Sequence, residues 1–143
     1  MKLYLIAAAA ALVAVPALAE GEADLAKGEA DFGKCKACHM IADGDTVIQK
    51  GGKVGPNLFA VIGRPAGSVE DFKYSKGMEE VEETGLIWDE AILVTYLADP
   101  TAWLKEASGD ASAKSKMTFK LKDGTNIAAY LASVAPPPAA TTN

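Results

Sequence analysis

Histidine and cysteine are scarce in this sequence of 143 residues, which contains one histidine and two cysteines. All three lie in the stretch KCKACHM at positions 34–40, as Cys35, Cys38 and His39. A structural zinc site normally requires four protein ligands, and three candidate residues are too few for one. A redox-active dithiol usually follows a strand in an α/β pattern, which is absent here. A structural disulfide across two residues would be strained and would close almost no loop.

A net positive charge is also missing. The formal net charge is −5, with 14 basic and 19 acidic residues. Proteins that bind nucleic acid neutralise phosphates with clustered lysines and arginines. Nucleic acid is therefore not an expected partner.

Long apolar runs are missing except at residues 3–15. This run follows Lys2 and precedes Ala17, Leu18 and Ala19, an order typical of a secretory signal peptide with a small-residue cleavage site. The run is shorter than the about 20 apolar residues that span a membrane. We expect cleavage after Ala19, export to the periplasm and no stable membrane insertion; an uncleaved membrane anchor is the alternative.

A convincing alternating strand pattern is absent as well, so the sequence predicts an all-α fold. Apolar residues recur at helical spacing in four segments, at 22–38, 76–85, 88–100 and 125–134. Gly85 stops the second helix, Asp89 is the N-cap of the third and Pro100 ends it, with a further helical turn or two over 100–107. Long loops in so small a domain need something to pack against, and a large apolar cofactor would supply that core.

The domain organisation follows from these features. Residues 1–19 are the expected signal peptide, residues 20–134 form one domain, and the Pro- and Ala-rich residues 135–143 form a flexible tail.

Cys35, Cys38 and His39 match C-x-x-C-H, the attachment signature of c-type haem. Each thiol adds to one of the two vinyl groups of haem to form a thioether, and the two-residue spacer spans the distance between those groups. His39 is then held under the iron and can donate an imidazole nitrogen as an axial ligand. Export agrees with this, because haem is attached covalently to bacterial apoproteins in the periplasm. The sequence therefore predicts one covalently attached haem c.

The single histidine excludes bis-histidine coordination within one chain. Met1 belongs to the signal segment and Met40 adjoins His39, which leaves Met78 and Met117 as candidates for the second axial ligand. Met117 lies in the polar stretch KSKMTFKLK, where no helical stripe explains a buried methionine, whereas Met78 fits ordinary packing on a short helix. We expect Met117 to be the ligand. A thioether ligand stabilises ferrous iron and raises the reduction potential, which suits electron transfer.

Several short motifs occur in a typical order: GPNL at 55–58, GR at 63–64, FKY at 72–74, WDEAILVTYLADP at 88–100, KMTF at 116–119 and IAAYL at 127–131. Together with C-x-x-C-H, they resemble class I c-type cytochromes and especially the bacterial cytochrome c2 group. The resemblance implies a small cytochrome c fold, in which helices and long loops surround one haem. It also implies a monomeric, non-enzymatic carrier of single electrons. Its expected partners are a bc-type quinol-oxidising complex and either a photosynthetic reaction centre or a terminal oxidase, in photosynthesis or respiration.

The resemblance also implies roles for residues around the haem. The carbonyl of Pro56 is expected to accept a hydrogen bond from the outer nitrogen of His39, which would fix the imidazole tautomer. The O–H of Tyr74 and the N–H of Trp88 would reach a haem propionate, with Arg64 nearby to offset its charge. For Trp88, simple core filling is the alternative.

Two further contacts are implied by the same resemblance. The hydroxyl of Tyr96 is expected near the methionine sulfur. Gly28 and Phe32 of the first helix are expected to pack against Tyr130 and Leu131 of the last helix.

Lysines are unevenly distributed despite the acidic total. They flank Cys35 and Met117 and occur on the loops between, at positions 34, 36, 50, 53, 73, 76, 114, 116, 120 and 122. We expect a lysine ring around the exposed haem edge that steers the protein onto acidic redox partners. Solvated lysines that only maintain solubility are the alternative.

Two rival functions stay open at this point. A haem enzyme or gas sensor, such as a peroxidase, would need an open iron site in place of methionine ligation. A membrane-tethered electron carrier would result if the N-terminal segment stayed attached.

Overall fold

The computed structural model describes residues 23–135, so the expected signal peptide and all but the first residue of the expected tail lie outside it. Helices dominate the described residues. The α-helices are α1 (Leu25–Asp31), α2 (Lys76–Glu83), α3 (Glu90–Ala98), α4 (Pro100–Ser108) and α5 (Thr125–Val134). None of the helices within residues 23–135 is long and apolar enough to span a membrane.

The first helix is shorter than predicted. The side chain of Asp24 caps α1 by accepting a hydrogen bond from the N–H of Lys27 at 2.9 Å. After Asp31 the chain tightens into a 3₁₀ turn at Phe32–Lys34. The prediction of a continuous α-helix to Cys38 is therefore wrong in its last part. Glycines at two positions in this segment lower its helix propensity, which agrees with the early end.

Close packing of α1 on α5 joins the two ends of the domain. A Cβ atom at Gly28 would overlap the carbonyl oxygen of Asn126 and would lie 2.8 Å from the Cβ of Tyr130. The rings of Phe32 and Tyr130 are 6.1 Å apart. Leu131 is only 2% exposed in the same core. The predicted contact of the first helix with the last is confirmed.

A β-hairpin follows the C-x-x-C-H segment and was not predicted. Strand β1 (Ile41–Asp43) pairs antiparallel with β2 (Thr46–Gln49). Gln49 is the only buried residue of β2, and the other three are exposed, so no alternating pattern marks the strand. The Nε2 of Gln49 donates to the hydroxyl of Tyr130 at 2.9 Å and to a carboxylate oxygen of Glu29 at 3.1 Å, which ties the hairpin to α1 and α5.

The predicted ends of α2 and α3 are confirmed. Gly85 follows α2 with a φ of +73°, a left-handed conformation that suits glycine. Asp89 caps α3 through its carboxylate. Pro100 does more than end α3, because it occupies the first turn of α4, where its missing N–H costs nothing and where Asp99 caps the helix. The two long loops, at residues 50–75 and 109–124, close around a cavity.

Candidate haem site

A cavity of about 430 Å³ lies between the C-x-x-C-H segment, α3, α5 and the two long loops. Its walls are mainly apolar, with leucines and an isoleucine from the helices, and the lining includes Cys35, Cys38, His39 and Met117. Cavities of this size and character typically hold a cofactor.

The C-x-x-C-H residues form a single helical turn. The N–H of His39 donates to the carbonyl of Cys35 at 2.9 Å, and the N–H of Cys38 donates to the same oxygen at 3.1 Å. The turn therefore presents both thiols and the imidazole to one cavity. Both cysteines are free, as attachment through two thioethers requires. Burial raises the pKa of the Cys35 thiol, and the neighbouring Lys34 ammonium opposes this shift.

Residues 51–55 wrap closely around this turn, and glycine makes the approach possible. The N–H of Gly55 donates to the carbonyl of Cys38 at 2.8 Å. A Cβ atom at Gly55 would lie 2.6 Å from Nδ1 and 2.7 Å from Nε2 of His39. A Cβ atom at Gly51 would overlap the carbonyl oxygen of His39. Any larger residue at either position would displace the imidazole or its backbone.

His39 and Pro56 make the expected hydrogen bond. The Nδ1 of His39 lies 2.8 Å from the carbonyl oxygen of Pro56. Because a carbonyl can only accept, Nδ1 carries the proton and Nε2 is left with a free lone pair. Burial lowers the pKa of His39, an effect that the hydrogen bond to Pro56 partly offsets. Burial thus favours the neutral imidazole that a metal requires.

Burial separates the two candidate methionines, both of which line the cavity. Met78 is 6% exposed and belongs to the packed core of α2, in keeping with the packing role considered for it. Met117 is half-buried and lies on the 109–124 loop. Its position on a loop agrees with the absence of a helical stripe in its sequence.

Ser115 links the Met117 loop to α3. The Oγ of Ser115 accepts a hydrogen bond from the N–H of Met117 at 3.1 Å and lies 3.4 Å from the hydroxyl of Tyr96. Tyr96 therefore reaches the Met117 loop through Ser115. Its contact with the methionine sulfur stays a prediction.

Two lysines fasten the same loop on either side of Met117. The Nζ of Lys116 donates to the carbonyls of Lys73 and Tyr74, each at 2.7 Å. The Nζ of Lys120 lies 2.7 Å from the carboxylate of Asp99, the residue that caps α4. The loop is thus held to the 50–75 loop at one point and to the α3–α4 junction at another.

Arg64 and Tyr74 supply polar groups to the cavity wall. Arg64 donates to the carbonyls of Phe59 at 2.8 Å and Asn57 at 3.1 Å, and its other N–H groups are not used in these bonds. The hydroxyl of Tyr74 accepts from the N–H of Val69 at 3.3 Å, which leaves its own proton free to donate. Burial raises the pKa of Tyr74 and keeps the hydroxyl protonated at neutral pH.

An aromatic cluster closes another part of the wall. Trp88 lines the cavity and is 7% exposed, so it is also a core residue. It stacks on Trp103 with ring centroids 5.2 Å apart and an angle of 24° between the planes. Tyr96 meets both indoles edge-on at 5.2 and 5.3 Å. Donation from Trp88 to a propionate stays a prediction.

These features fit a covalently bound haem. Two free cysteines and a neutral imidazole line one mainly apolar cavity, and polar donors from Arg64 and Tyr74 line it as well. An apolar macrocycle that carries two carboxylates requires both kinds of surface.

Comparison with known proteins decides the family. No protein-family model matches the chain. The chain is 51% identical to cytochrome c2 of Cereibacter sphaeroides over 136 residues, which cover 91% of this chain and 93% of that protein. It is 51% identical to cytochrome c-550 of Paracoccus versutus over 141 residues, or 95% of this chain and 91% of that protein. The X-ray structure of ferric cytochrome c-550 from Paracoccus versutus superimposes with a TM-score of 0.77 at 52% identity, covering 80% of this chain and all of that one.

The chain belongs to the cytochrome c2 family. The predicted fold class is confirmed, as is the presence of one covalently bound haem c. As a member of this family the protein is an electron carrier and not an enzyme, and its role is to transfer electrons with redox partners.

The lysines of this cytochrome c2 relative are less uniform than the predicted ring. Lys34 and Lys116 line the haem cavity. Three of the ten lysines form ion pairs: Lys34 with Asp31 at 2.7 Å, Lys76 with Glu80 at 2.8 Å, and Lys120 with Asp99 at 2.7 Å. Part of the positive charge is thus offset locally.

Sequence reasoning missed several residues around the site, among them Gly51, Gly55, Asn57 and Trp103. GPNL is a recognisable motif, but the need for glycine at position 55 follows only from its distance to the His39 ring in the folded chain. Trp103 lies on α4, whereas Tyr96 lies on α3 and Trp88 precedes α3, so no spacing rule connects them. Its size and its rarity among 143 residues are the only sequence signals that favour a core position.

Proposed function

We propose that this member of the cytochrome c2 family carries single electrons in the periplasm between a bc-type quinol-oxidising complex and a photosynthetic reaction centre or terminal oxidase. In this proposal Cys35 and Cys38 form the two thioethers, and His39 and Met117 are the axial ligands. The observation that carries it is that the C-x-x-C-H turn and the Met117 loop line the same mainly apolar cavity.

The histidine side of the site supports its role as a ligand. When bound, the haem supplies one-electron Fe(II)/Fe(III) chemistry. The bond from Nδ1 to the Pro56 carbonyl leaves Nε2 unprotonated and holds the imidazole plane in one orientation. Gly55 contacts the ring on another side, so His39 has little freedom to rotate. A rigid ligand keeps the reorganisation between the two oxidation states small.

The methionine side is supported by the fastening of its loop. Lys116 and Lys120 hold the loop on both sides of Met117, and Ser115 accepts its N–H. A filled second axial position leaves no site for a substrate, which agrees with an electron carrier.

The choice of methionine is tested by replacing each candidate with leucine, which conserves volume and removes only the sulfur as a ligand. The oxidised protein is expected to show a near-infrared band from sulfur-to-iron charge transfer. Met117→Leu should abolish this band and Met78→Leu should retain it. The reverse pattern would overturn the assignment of Met117. A missing band in the unaltered protein would instead favour an open iron site.

The partner surface is proposed to be the haem edge near Lys34 and Lys116, which line the cavity. Opposite charges steer such encounters, and salt screens them over roughly 8–10 Å at physiological ionic strength. Electron-transfer rates with the isolated bc-type complex should therefore fall as ionic strength rises. A flat or rising profile would contradict steering by these lysines.

Export is proposed from residues 1–19, whose order of charge, apolar core and small residues is typical of a signal peptide. The mass of the purified protein tests this together with covalent haem. Cleavage after Ala19 and one attached haem are expected. A mass that retains residues 1–19 would favour the membrane-tethered alternative.

A further inference from the structure

Asn57 bonds to three backbone groups at once. Its Oδ1 accepts from the N–H groups of Ala42 and Phe59, each at 3.1 Å, and its Nδ2 donates to the carbonyl of Ala42 at 2.7 Å. The partners themselves define which end of the amide is oxygen, since each N–H needs an acceptor and the carbonyl needs a donor.

The amide of Asn57 replaces a third strand beside the hairpin. β1 is paired with β2 on one edge, and Asn57 bonds to both the N–H and the carbonyl of Ala42. The N–H of Leu58 extends this pairing by donating to the carbonyl of Met40 at 3.0 Å. Unpaired backbone groups at a strand edge need such partners. The chain just after His39 is thereby joined to the chain just after Pro56.

Arg64 holds the same segment from another direction. Its two guanidinium donors bond to the carbonyls of Asn57 and Phe59. The peptide units after Pro56 are therefore bonded both to the hairpin, through the Asn57 side chain, and to Arg64.

Pro56 depends on these neighbours for its own position. Proline has no backbone N–H, so Pro56 cannot donate a hydrogen bond that would help to hold its own carbonyl in place. The adjoining bonds of Asn57 to Ala42 connect this carbonyl to a residue only three positions after His39. The segments after His39 and after Pro56 are thus bonded to each other close to the contact of 2.8 Å between Nδ1 of His39 and the carbonyl oxygen of Pro56.

We infer that Asn57 is a positioning residue: it holds the Pro56 carbonyl against Nδ1 of His39 and so sets how strongly the imidazole donates to the iron. The inference rests on the proposed axial role of His39. A stronger bond to the carbonyl gives the imidazole more anionic character, which stabilises the ferric state. Loosening the bond should therefore raise the reduction potential.

The test compares Asn57→Ala with Asn126→Ala in the holoprotein. Asn126 is a matched control, because its Oδ1 also accepts a backbone N–H, that of Asp24 at 2.9 Å, but it does not line the cavity. In the reduced protein, NMR gives the exchange rate of the His39 Nδ1 proton, and a redox titration gives the potential. Asn57→Ala should speed exchange about tenfold, the effect of losing one well-made hydrogen bond, and should raise the potential. Asn126→Ala should change neither, even where it lowers stability.

Asn57→Asp keeps the inference testable if the alanine variant does not fold. It retains the shape and an acceptor for both N–H groups but loses the Nδ2 donor to Ala42. It is read by proton exchange alone, because its charge would itself move the potential, and faster exchange is again expected. Unchanged exchange in the Asn57 variants, or equal changes in Asn126→Ala, would overturn the role of Asn57. A protein without an iron-bound imidazole carrying this proton would overturn the axial role of His39, and the inference with it.

Discussion

Replacing Gly28 by alanine should destabilise the protein, although alanine favours helices. The new Cβ would overlap the carbonyl oxygen of Asn126 and would lie 2.8 Å from the Cβ of Tyr130. The carbonyl belongs to the backbone of α5, so relief requires α1 and α5 to separate. Overpacking typically lowers the free energy of unfolding by about 1–3 kcal/mol, and a clash with backbone should reach the upper value. The gain from replacing a helical glycine offsets about 1 kcal/mol.

A net loss of about 2 kcal/mol would lower the melting temperature by about 8 °C, given about 4 °C per kcal/mol for a domain of between about 100 and 150 residues. Thermal unfolding of the ferric holoprotein by far-ultraviolet circular dichroism measures it. Gly33→Ala is the matched control, because a Cβ there meets nothing within 4 Å. It should be neutral or slightly stabilising. Equal melting temperatures for the two variants would refute the steric reasoning.

Two further predictions concern the fastenings of the Met117 loop. Asp99→Asn keeps a cap for α4 but removes the carboxylate whose pKa is lowered, mainly by its hydrogen bond with Lys120. A carboxyl group whose pKa is lowered in the folded state stabilises the fold at pH values above its unfolded-state pKa of about 3.9. This stabilisation is lost as the pH falls through the folded-state pKa. In urea titrations the variant should therefore be less stable than the original protein at pH 7, with the gap closing below about pH 4; a gap that stays constant would contradict this. Lys116→Gln removes the charged donor to two carbonyls, so imidazole should displace the methionine ligand with about tenfold higher affinity, measured by loss of the near-infrared band. Lys114→Gln is the control, and equal affinities in both variants would show that the bonds of Lys116 to the Lys73 and Tyr74 carbonyls do not hold the loop.

Local signals made most of the helices predictable. The Asp89 cap, the Gly85 stop and the apolar spacing of residues 125–134 each act within one turn of chain, so they can be read without the fold. C-x-x-C-H is equally local, because one helical turn brings its three side chains to one place.

Features that depend on distant contacts could not be read in this way. The hairpin has an exposed second strand and is held by the bonds of Gln49 to Tyr130 and Glu29 and by those of Asn57 to Ala42. A polar side chain that bonds to backbone far along the chain leaves no periodic signal. The helix predicted to reach Cys38 failed for a related reason, since residues 51–55 hold the following turn in place.

The cavity lining was predicted in part. The family resemblance implied five residues around the haem, and all five line the cavity: Pro56, Arg64, Tyr74, Trp88 and Tyr96. The bonds of Tyr74 and Trp88 to a propionate are proposals, because those bonds involve the haem itself, and the contact of Tyr96 with the methionine sulfur stays a prediction.

Both tryptophans of the chain lie in one stacked pair, with ring centroids 5.2 Å apart. Intrinsic tryptophan fluorescence therefore reports on one region, where the residue before α3 packs on α4. The hairpin and the α1–α5 contact contain no tryptophan, so fluorescence does not probe them directly. A haem beside this pair quenches both indoles by energy transfer, so emission appears when unfolding carries the pair away from the haem. Fluorescence and circular dichroism consequently sample different regions of the same molecule. Coincidence of their unfolding midpoints becomes a direct test of whether the domain unfolds as one cooperative unit.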